Sequence, residues 1–356
     1  MNPSNELLRT RQHFEVLDGM RGVAAIAVVV FHFMEIVAPN PVDSFISHAY
    51  LAVDFFYCLS GFVVAYAYDS RLKDLGAWTF LKLRLIRLHP LVLFMAFVGL
   101  LVFITDPFSD LWKKYSADLG YLLGSSALMV PYAIVKERYN NLFHLNPPTW
   151  SLFWEYAVNI FYALVLVRTR RWMLWILLLV SAAWLCFEAS RYGNVGVGWS
   201  GKTFWGGAAR VSFSFLAGLM VYRFRLLIRL KTGVVLPAIL LLLSFLVPFS
   251  PGYNQFIDPV LVIAVFPLLV AIGAGSAAKG LMARICNFLG EISYPLYMVH
   301  YPFIWLFMSY VEKYKPTLPM MLGITAAGTV LLTGLSYVVL KKMDEPFRKF
   351  LKKKFV

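Results

Sequence analysis

Ten apolar stretches follow one another along the chain with little sequence between them. They begin near Gly22, Tyr50, Leu85, Trp150, Trp172, Ala208, Val234, Ile257, Ile292 and Pro319. A hydrocarbon layer about 30 Å thick is crossed by about 20 residues of helix, and it offers no partner to an unpaired backbone amide. A chain built this way folds as an all-α, polytopic transmembrane helix bundle of about ten spans. Only 15% of the residues are charged and 60% are hydrophobic, whereas a soluble domain carries about 25% charged residues. Those figures also exclude a disordered or fibrous class. No secretory cleavage signature follows the first stretch, which is therefore read as retained. No fixed-period repeat is visible and neither end leaves room for a soluble domain. Residues 1–356 thus read as a single integral membrane domain with a short basic tail at 341–356. Cys58, Cys186 and Cys286 lie far apart, without metal or redox spacing, and read as packing residues.

An eleventh apolar segment, 118–135, carries Gly120, Gly124 and Pro131, which weaken a helix. Charge decides whether it crosses. The net charge of +14 does not point to nucleic acid, because Lys and Arg sit in short clusters between apolar stretches, as membrane topology requires. Suppose the segment does not cross and the N-terminus is cytoplasmic. The clusters around Arg9, Arg11 and Arg21, at 71–87, at 168–171, from Arg223 to Lys231, at Lys279 and Arg284, and at 341–354 then share the inner side. The outer side keeps only Lys113, Lys114, Lys136, Arg138, Arg191, Lys202, Lys313 and Lys315. If the segment crosses, this bias is spoiled. The positive-inside rule therefore gives ten spans, both termini cytoplasmic, and one extra re-entrant or outer-surface helix near 118–135.

Ionisable residues inside such spans are costly and mark candidate functional sites. The first span, from Leu17 to Ile36, has Arg21 at its start and His32 and Glu35 within it. Arg21 and His32 are eleven residues apart, three turns and a little more, so they project from nearly one face about 16 Å apart along the axis. A snorkelling Arg21 and a His32 bonded to a neighbouring helix fit this spacing equally well. The second span carries Asp54 and the pair Ser60-Gly61. The pair reads as close helix packing, but a carboxylate at that depth needs a partner. Arg84 and Arg87 enter the third span near Lys82 and His89. They read either as ordinary anchors or as a cytoplasmic phosphate clamp, because guanidinium forks match phosphate oxygens.

In the fourth span Thr149 or Ser151 can cap the helix after Pro147-Pro148. Ser151, Glu155, Asn159 and Tyr162 form a polar stripe, which suits a wet cavity or interhelical hydrogen bonds. Ser293, Tyr297 and His300 share a face of the ninth span. By depth, Arg21, Arg84 and Arg87 line the inner edge, His32 and His300 fall near mid-membrane, and Glu35, Asp54 and Glu155 fall in the outer third. Such a gradient suits an anionic ligand entering from inside, chemistry at a histidine, and a polar acceptor from outside. Histidine is the side chain best able to take a hydroxyl proton near neutral pH. His32 and Glu35 at i, i+3 have no further His or Cys in range, so no metal is expected. The alternative is a transporter or flippase for a polar or lipid-linked substrate, with the same residues binding cargo.

Several of these pieces match one family in order. They are Leu17-Asp18-Gly19-Met20-Arg21-Gly22 with His32; Phe55 to Phe62, which reads FFYCLSGF; Arg84-x-x-Arg87; Trp150-Ser151-Leu152 with Glu155; Gly290-Glu291-Ile292-Ser293-Tyr294 with Tyr297 and His300; and Glu345-Pro346. Together they resemble the acyltransferase-3 family of integral membrane O-acyltransferases, in its stand-alone form. The resemblance implies an acyl group, often acetyl, taken from cytoplasmic acyl-CoA as co-substrate and delivered to a hydroxyl of an extracytoplasmic glycan or lipid-linked sugar. It places the chain in the cell (cytoplasmic) membrane and implies no permanently bound cofactor. It puts Arg21 and His32 on the family's essential first-helix pair and Arg84 and Arg87 on its CoA-contacting pair. On this reading His32 deprotonates the acceptor hydroxyl or carries the acyl group transiently. Glu155, Asp54 or Glu35 orients His32 or binds sugar hydroxyls. Trp150, Ser151, Asn159, Tyr297 and His300 line the cavity.

Overall fold

The computed structural model describes residues 13–230 and 233–355. Arg9, Arg11 and Lys231, three of the inner-side cations, lie outside the described residues. Most of the described residues are helical. They are α1 (Glu15–Val37), α2 (Ala52–Tyr68), α3 (Ala77–Thr105), α4 (Leu119–Leu128), α5 (Thr149–Leu164) and α6 (Arg171–Tyr192). There follow α7 (Phe204–Arg223), α8 (Val235–Phe245), α9 (Asn254–Gly275, through a π turn), α10 (Gly280–Tyr314), α11 (Leu318–Val339) and α12 (Glu345–Phe355).

Among the described residues eight helices are long and apolar enough to cross a membrane. The other two expected spans depart from the simple pattern for different reasons. α10 has 35 residues but carries a polar inward face. α8 has 11 residues and a length of about 16 Å, short of a bilayer by itself. Its flanks complete the traverse: Val234 stands beside Gly19, and the Val247 carbonyl meets His48 at the opposite end of the bundle.

Side-chain pairs give the direction of each helix. Along α1 and α10 the numbers rise together: Arg21 bonds Ser293, His32 stacks on His300, and Phe33 meets Phe307. The two helices are parallel, as first and ninth spans must be. Tyr57, Ser60 and Asp69 of the α2 region meet Ser151, Glu155 and Tyr162 of α5, so α2 and α5 are also parallel. Along α3 and α5 the order reverses, with Phe80 against Tyr162, Arg84 against Glu155, and Gly99 against Leu145. Antiparallel neighbours leave no room for a crossing between them. The segment 118–135 therefore does not span. It contributes the ten-residue helix α4, which ends at Met129 in a left-handed conformation (φ 56°). Leu122 of α4 joins Tyr115, Val135 and Leu145 in a small apolar cluster against Leu100 and Phe103 of α3.

Two close helix contacts hold the centre. A Cβ on Gly61 would lie 2.0 Å from the Phe215 carbonyl, and one on Gly218 would lie 1.7 Å from the Cys58 carbonyl, so α2 and α7 touch backbone to backbone. Between α1 and α10, Gly22 lets the Leu289 backbone and Cβ approach, and Gly290 makes room for the Asp18 side chain. Pro302 inside α10 cannot donate to the Met298 carbonyl, and Asn146 Nδ2 takes that acceptor at 3.0 Å.

The α2–α7 contact makes a prediction. Gly61→Ala and Gly218→Ala should each lower the thermal midpoint in detergent, since overpacking costs about 1–3 kcal/mol. Gly323→Ala and Gly334→Ala, where nothing lies within 4 Å of an added Cβ, should leave it unchanged or raise it. Equal midpoints for the two pairs would show that this contact is not a determinant of stability.

Candidate active site

His32 projects from α1 one turn before Glu35, and its Nδ1 lies 2.6 Å from Glu35 Oε2. An ionised carboxylate only accepts, so Nδ1 carries the proton and donates it, and Nε2 keeps a free lone pair. The ring is held from three sides. His300 stacks on it with centroids 5.3 Å apart and planes at 19°, while Tyr301 and Phe31 meet it edge-on. His300 is fully buried, donates from Nδ1 to the Leu296 carbonyl (3.0 Å), and has no partner at Nε2 among the described residues. It lines neither large cavity and acts on His32 through stacking.

His32 and Glu35 face a cavity of about 530 Å³. Its walls are aromatic, with Tyr50, Tyr139, Trp150, Trp199 and Trp305, and its polar groups include Asn141, Asn194 and Arg210. Flat aromatic faces beside amide donors and acceptors are a surface for a ring-shaped, hydroxyl-bearing molecule.

A second cavity of about 750 Å³ opens toward the basic end of the bundle. Arg21, Arg84, Arg87 and Arg348 line it, together with Ser60 and the carboxylates Glu15, Asp18, Glu155, Glu291, Asp344 and Glu345. Arg21 donates to Ser293 Oγ (2.8 Å) and to the Gly290 carbonyl (2.7 Å), and it pairs with Asp18. Arg84 is buried and bound to Glu155 Oε1 at 2.7 Å; the same oxygen accepts from Ser60 Oγ (2.6 Å) and Asn159 Nδ2 (3.2 Å). Arg87 is exposed to the cavity and enters no ion pair among the described residues.

The two cavities lie back to back, and Val53 and Tyr297 line both. The Tyr297 hydroxyl sits 2.8 Å from Ser151 Oγ, and Tyr57 donates to the Ser151 carbonyl at 2.9 Å. Ser151 is therefore not a helix cap: its hydroxyl bonds the Pro148 carbonyl and Tyr297, and α5 starts without a side-chain cap.

Some expected site residues sit elsewhere. Asp54 is fully buried away from both cavities, with Arg210 Nη2 at 2.6 Å and Arg210 Nε at 3.1 Å from Oδ2. It neither reaches His32 nor faces a ligand, because an unpaired Arg210 in the bundle would cost more than the site gains. Glu155 holds Arg84 rather than His32. Asn159 lines neither cavity and braces Glu155. The Ser60-Gly61 pair divides, with Gly61 packing against α7 and Ser60 lining the basic cavity. Sequence reasoning gave Arg210 no role, although it is a lone arginine inside a span facing a lone carboxylate in another. The segment 341–356 is not a loose tail: α11 passes through a π turn, Leu340–Asp344, into α12, and Asp344, Glu345 and Arg348 line the basic cavity.

Asp54→Ala should lower stability by about 3–5 kcal/mol, the cost of stranding a buried charge, and thermal unfolding of the purified protein reads it. A variant that melts like the wild type would leave Asp54 without a structural role.

Residues 14–341 match the family model described as "Acyltransferase domain" (Acyl_transf_3). "Protein 2 in picA locus" of Rhizobium radiobacter is 37% identical over 192 residues, which cover 51% of this chain and 97% of that protein. "Acyltransferase MdmB" of Streptomyces mycarofaciens is 29% identical over 318 residues, 80% of this chain and 77% of that one. No solved structure gives a significant match. With a family model covering residues 14–341, nearly the whole bundle and the His32–Glu35 pair, the chain belongs to the acyltransferase-3 family of membrane acyltransferases.

Proposed function

We propose that this enzyme moves an acyl group, acetyl by preference, from acyl-CoA in the basic cavity to a hydroxyl of a carbohydrate in the aromatic cavity. The observation that carries the reading is the pairing of the two cavities: an oriented imidazole faces one, guanidinium groups line the other, and a wall of Val53 and Tyr297 is common to both. The excess of Lys and Arg at the basic end places that end in the cytoplasm under the positive-inside rule. Both termini are then cytoplasmic, the aromatic cavity opens outward, and the chain resides in the cytoplasmic membrane.

In this mechanism the donor's phosphates stay among the arginines while its flexible arm carries the thioester toward Tyr297. The separation of Arg21 and His32, about 16 Å along α1, is a distance that arm can bridge. His32 Nε2 takes the proton of the acceptor hydroxyl as its oxygen attacks the thioester carbonyl. The new carbon–oxygen bond forms, the carbon–sulfur bond breaks, and the proton passes from His32 to the departing thiolate. Glu35 fixes the tautomer and stabilises the imidazolium that forms in between. The Tyr297 hydroxyl stands where the thioester carbonyl must pass and is placed to hold its oxygen as charge develops. The paired arrangement of a base facing one compartment and a phosphate-binding surface facing the other favours group transfer over carriage of a whole substrate.

The test is release of free CoA by purified protein supplied with acetyl-CoA and a panel of glycans. His32→Ala should abolish glycan-dependent release while binding CoA as the wild type does. Glu35→Gln should reduce turnover by about 10²-fold, within the usual range for general-base assistance. Full turnover by His32→Ala would overturn the mechanism. Failure of the wild type to bind CoA would overturn the donor assignment.

A further inference from the structure

The arginines of the basic cavity are not equivalent. Arg84 is bound to Glu155, and Arg21 is held by Asp18, Ser293 and the Gly290 carbonyl. Arg21 spends Nε and Nη2 on these partners, and Arg84 spends Nη2 on Glu155 while its Nε is buried without a partner among the described residues. Arg87 has no acidic partner among the described residues and is exposed to the cavity. Arg348, on α12, also lines the cavity, and α12 packs against α3, which bears Arg87. Arg87 lies within electrostatic reach of Arg84, Arg21 and Arg348. Guanidinium groups converging on one space repel one another unless an anion joins them.

The partner of Arg348 is unusual. Asp344 is 1% exposed, and neither of its oxygens makes a hydrogen bond to a described residue, although Arg348 Nη2 stands 2.9 Å from Oδ2. Arg348 Nε is also buried without a partner. Buried polar atoms without hydrogen bonds are destabilising and call for an explanation. Asp344 closes the π turn that joins α11 to α12, and π turns occur often at functional sites. The carboxylate is thus held at the cavity wall beside a guanidinium whose remaining donors are unfilled. A phosphate in the cavity would complete that set by giving Arg348 and Arg87 a common acceptor.

Resting on the donor reading above, we propose that Arg87 and Arg348 form the fork that receives the phosphates at the nucleotide end of the donor, and that Asp344 positions Arg348 for it. Arg84 then serves to hold Glu155, to which Ser60 also donates, rather than to bind phosphate.

The test uses full-length protein in phosphatidylcholine nanodiscs, with CoA binding measured by calorimetry at several salt concentrations and the thermal midpoint measured without ligand. Because Arg348→Gln alone leaves Asp344 buried without its cation, it is compared in an Asp344→Asn background, where it should weaken CoA binding about tenfold, flatten its salt dependence, and leave the midpoint in place. Arg348→Lys should restore part of the affinity, as a point charge without a fork. Asp344→Asn should weaken CoA binding with an intermediate salt dependence. No loss of affinity from Arg348→Gln in that background, or a loss that comes only with a lowered midpoint, would overturn the proposal. A parallel series in nanodiscs containing phosphatidylglycerol separates the donor's phosphate from a lipid phosphate. If Arg348→Gln changes only competition by that lipid, the fork is a lipid site and the proposal fails. If the wild type binds no CoA in any of these conditions, the donor reading itself fails.

Discussion

A charge that faces the interior of a helix bundle in hydrocarbon needs a partner or water, and this protein sorts its charges accordingly. Arg210 and Asp54 satisfy each other completely and lock α7 to α2. Arg223 and Asp69 repeat the arrangement at the basic end of the same two helices, with Nε and Oδ2 2.7 Å apart. These pairs bracket the contact in which Gly61 and Gly218 let the two backbones touch. Once α2 and α7 are fixed in this way, Tyr57 and Ser60 are presented to α5, and Val53 is left as part of the wall between the cavities. Arg87, which enters no ion pair among the described residues, faces the larger cavity.

The separation of those cavities has a chemical consequence. An activated thioester and a general base in one wet space would favour hydrolysis over transfer. Here the two cavities adjoin at Tyr297 and Val53, so on the proposed reading a thioester held among the arginines would meet the imidazole there. The stack of His32 on His300 and the short bond to Glu35 fix the ring against that junction. Parallel packing of α1 and α10 makes this possible: each contributes a polar face at the basic end and a histidine about two or three turns further on, so the two faces descend together.

Much of this was legible in the sequence because hydrocarbon imposes a simple code. The positions of the eight helices that are long and apolar enough to cross follow from apolar length, and the exclusion of 118–135 follows from charge alone. The antiparallel course of α3 and α5 bears out that exclusion. The shortness of α8 was hidden, since its coil flanks are as apolar as the helix. Within the site, the His32–Glu35 spacing reads directly from a helical turn. The pairing of Asp54 with Arg210 did not, because residues 156 positions apart carry no spacing signal; only the rarity of charges within spans linked them. The segment after Val339 was misleading for another reason. A basic, aromatic run reads as a tail, and a π turn that brings its first turn back to a cavity leaves no compositional trace.

Arg84 and Arg87 show why partner geometry outranks spacing. Three residues apart, they share one side of α3 and read as a matched pair. Their surroundings differ, however. α5 crosses α3 antiparallel at the level of Arg84, and the Glu155 side chain descends from α5 to meet it, braced by Ser60 and Asn159. One turn further along, Arg87 has passed the carboxylate and looks into open space toward α12. On the proposed reading, substituting either residue impairs the enzyme by separate routes: at Arg84 through a buried carboxylate left without its cation, and at Arg87 through the proposed anionic donor left without its counter-charge. The two effects part on ionic strength, because a buried pair is scarcely screened whereas attraction to a ligand in an open cavity is.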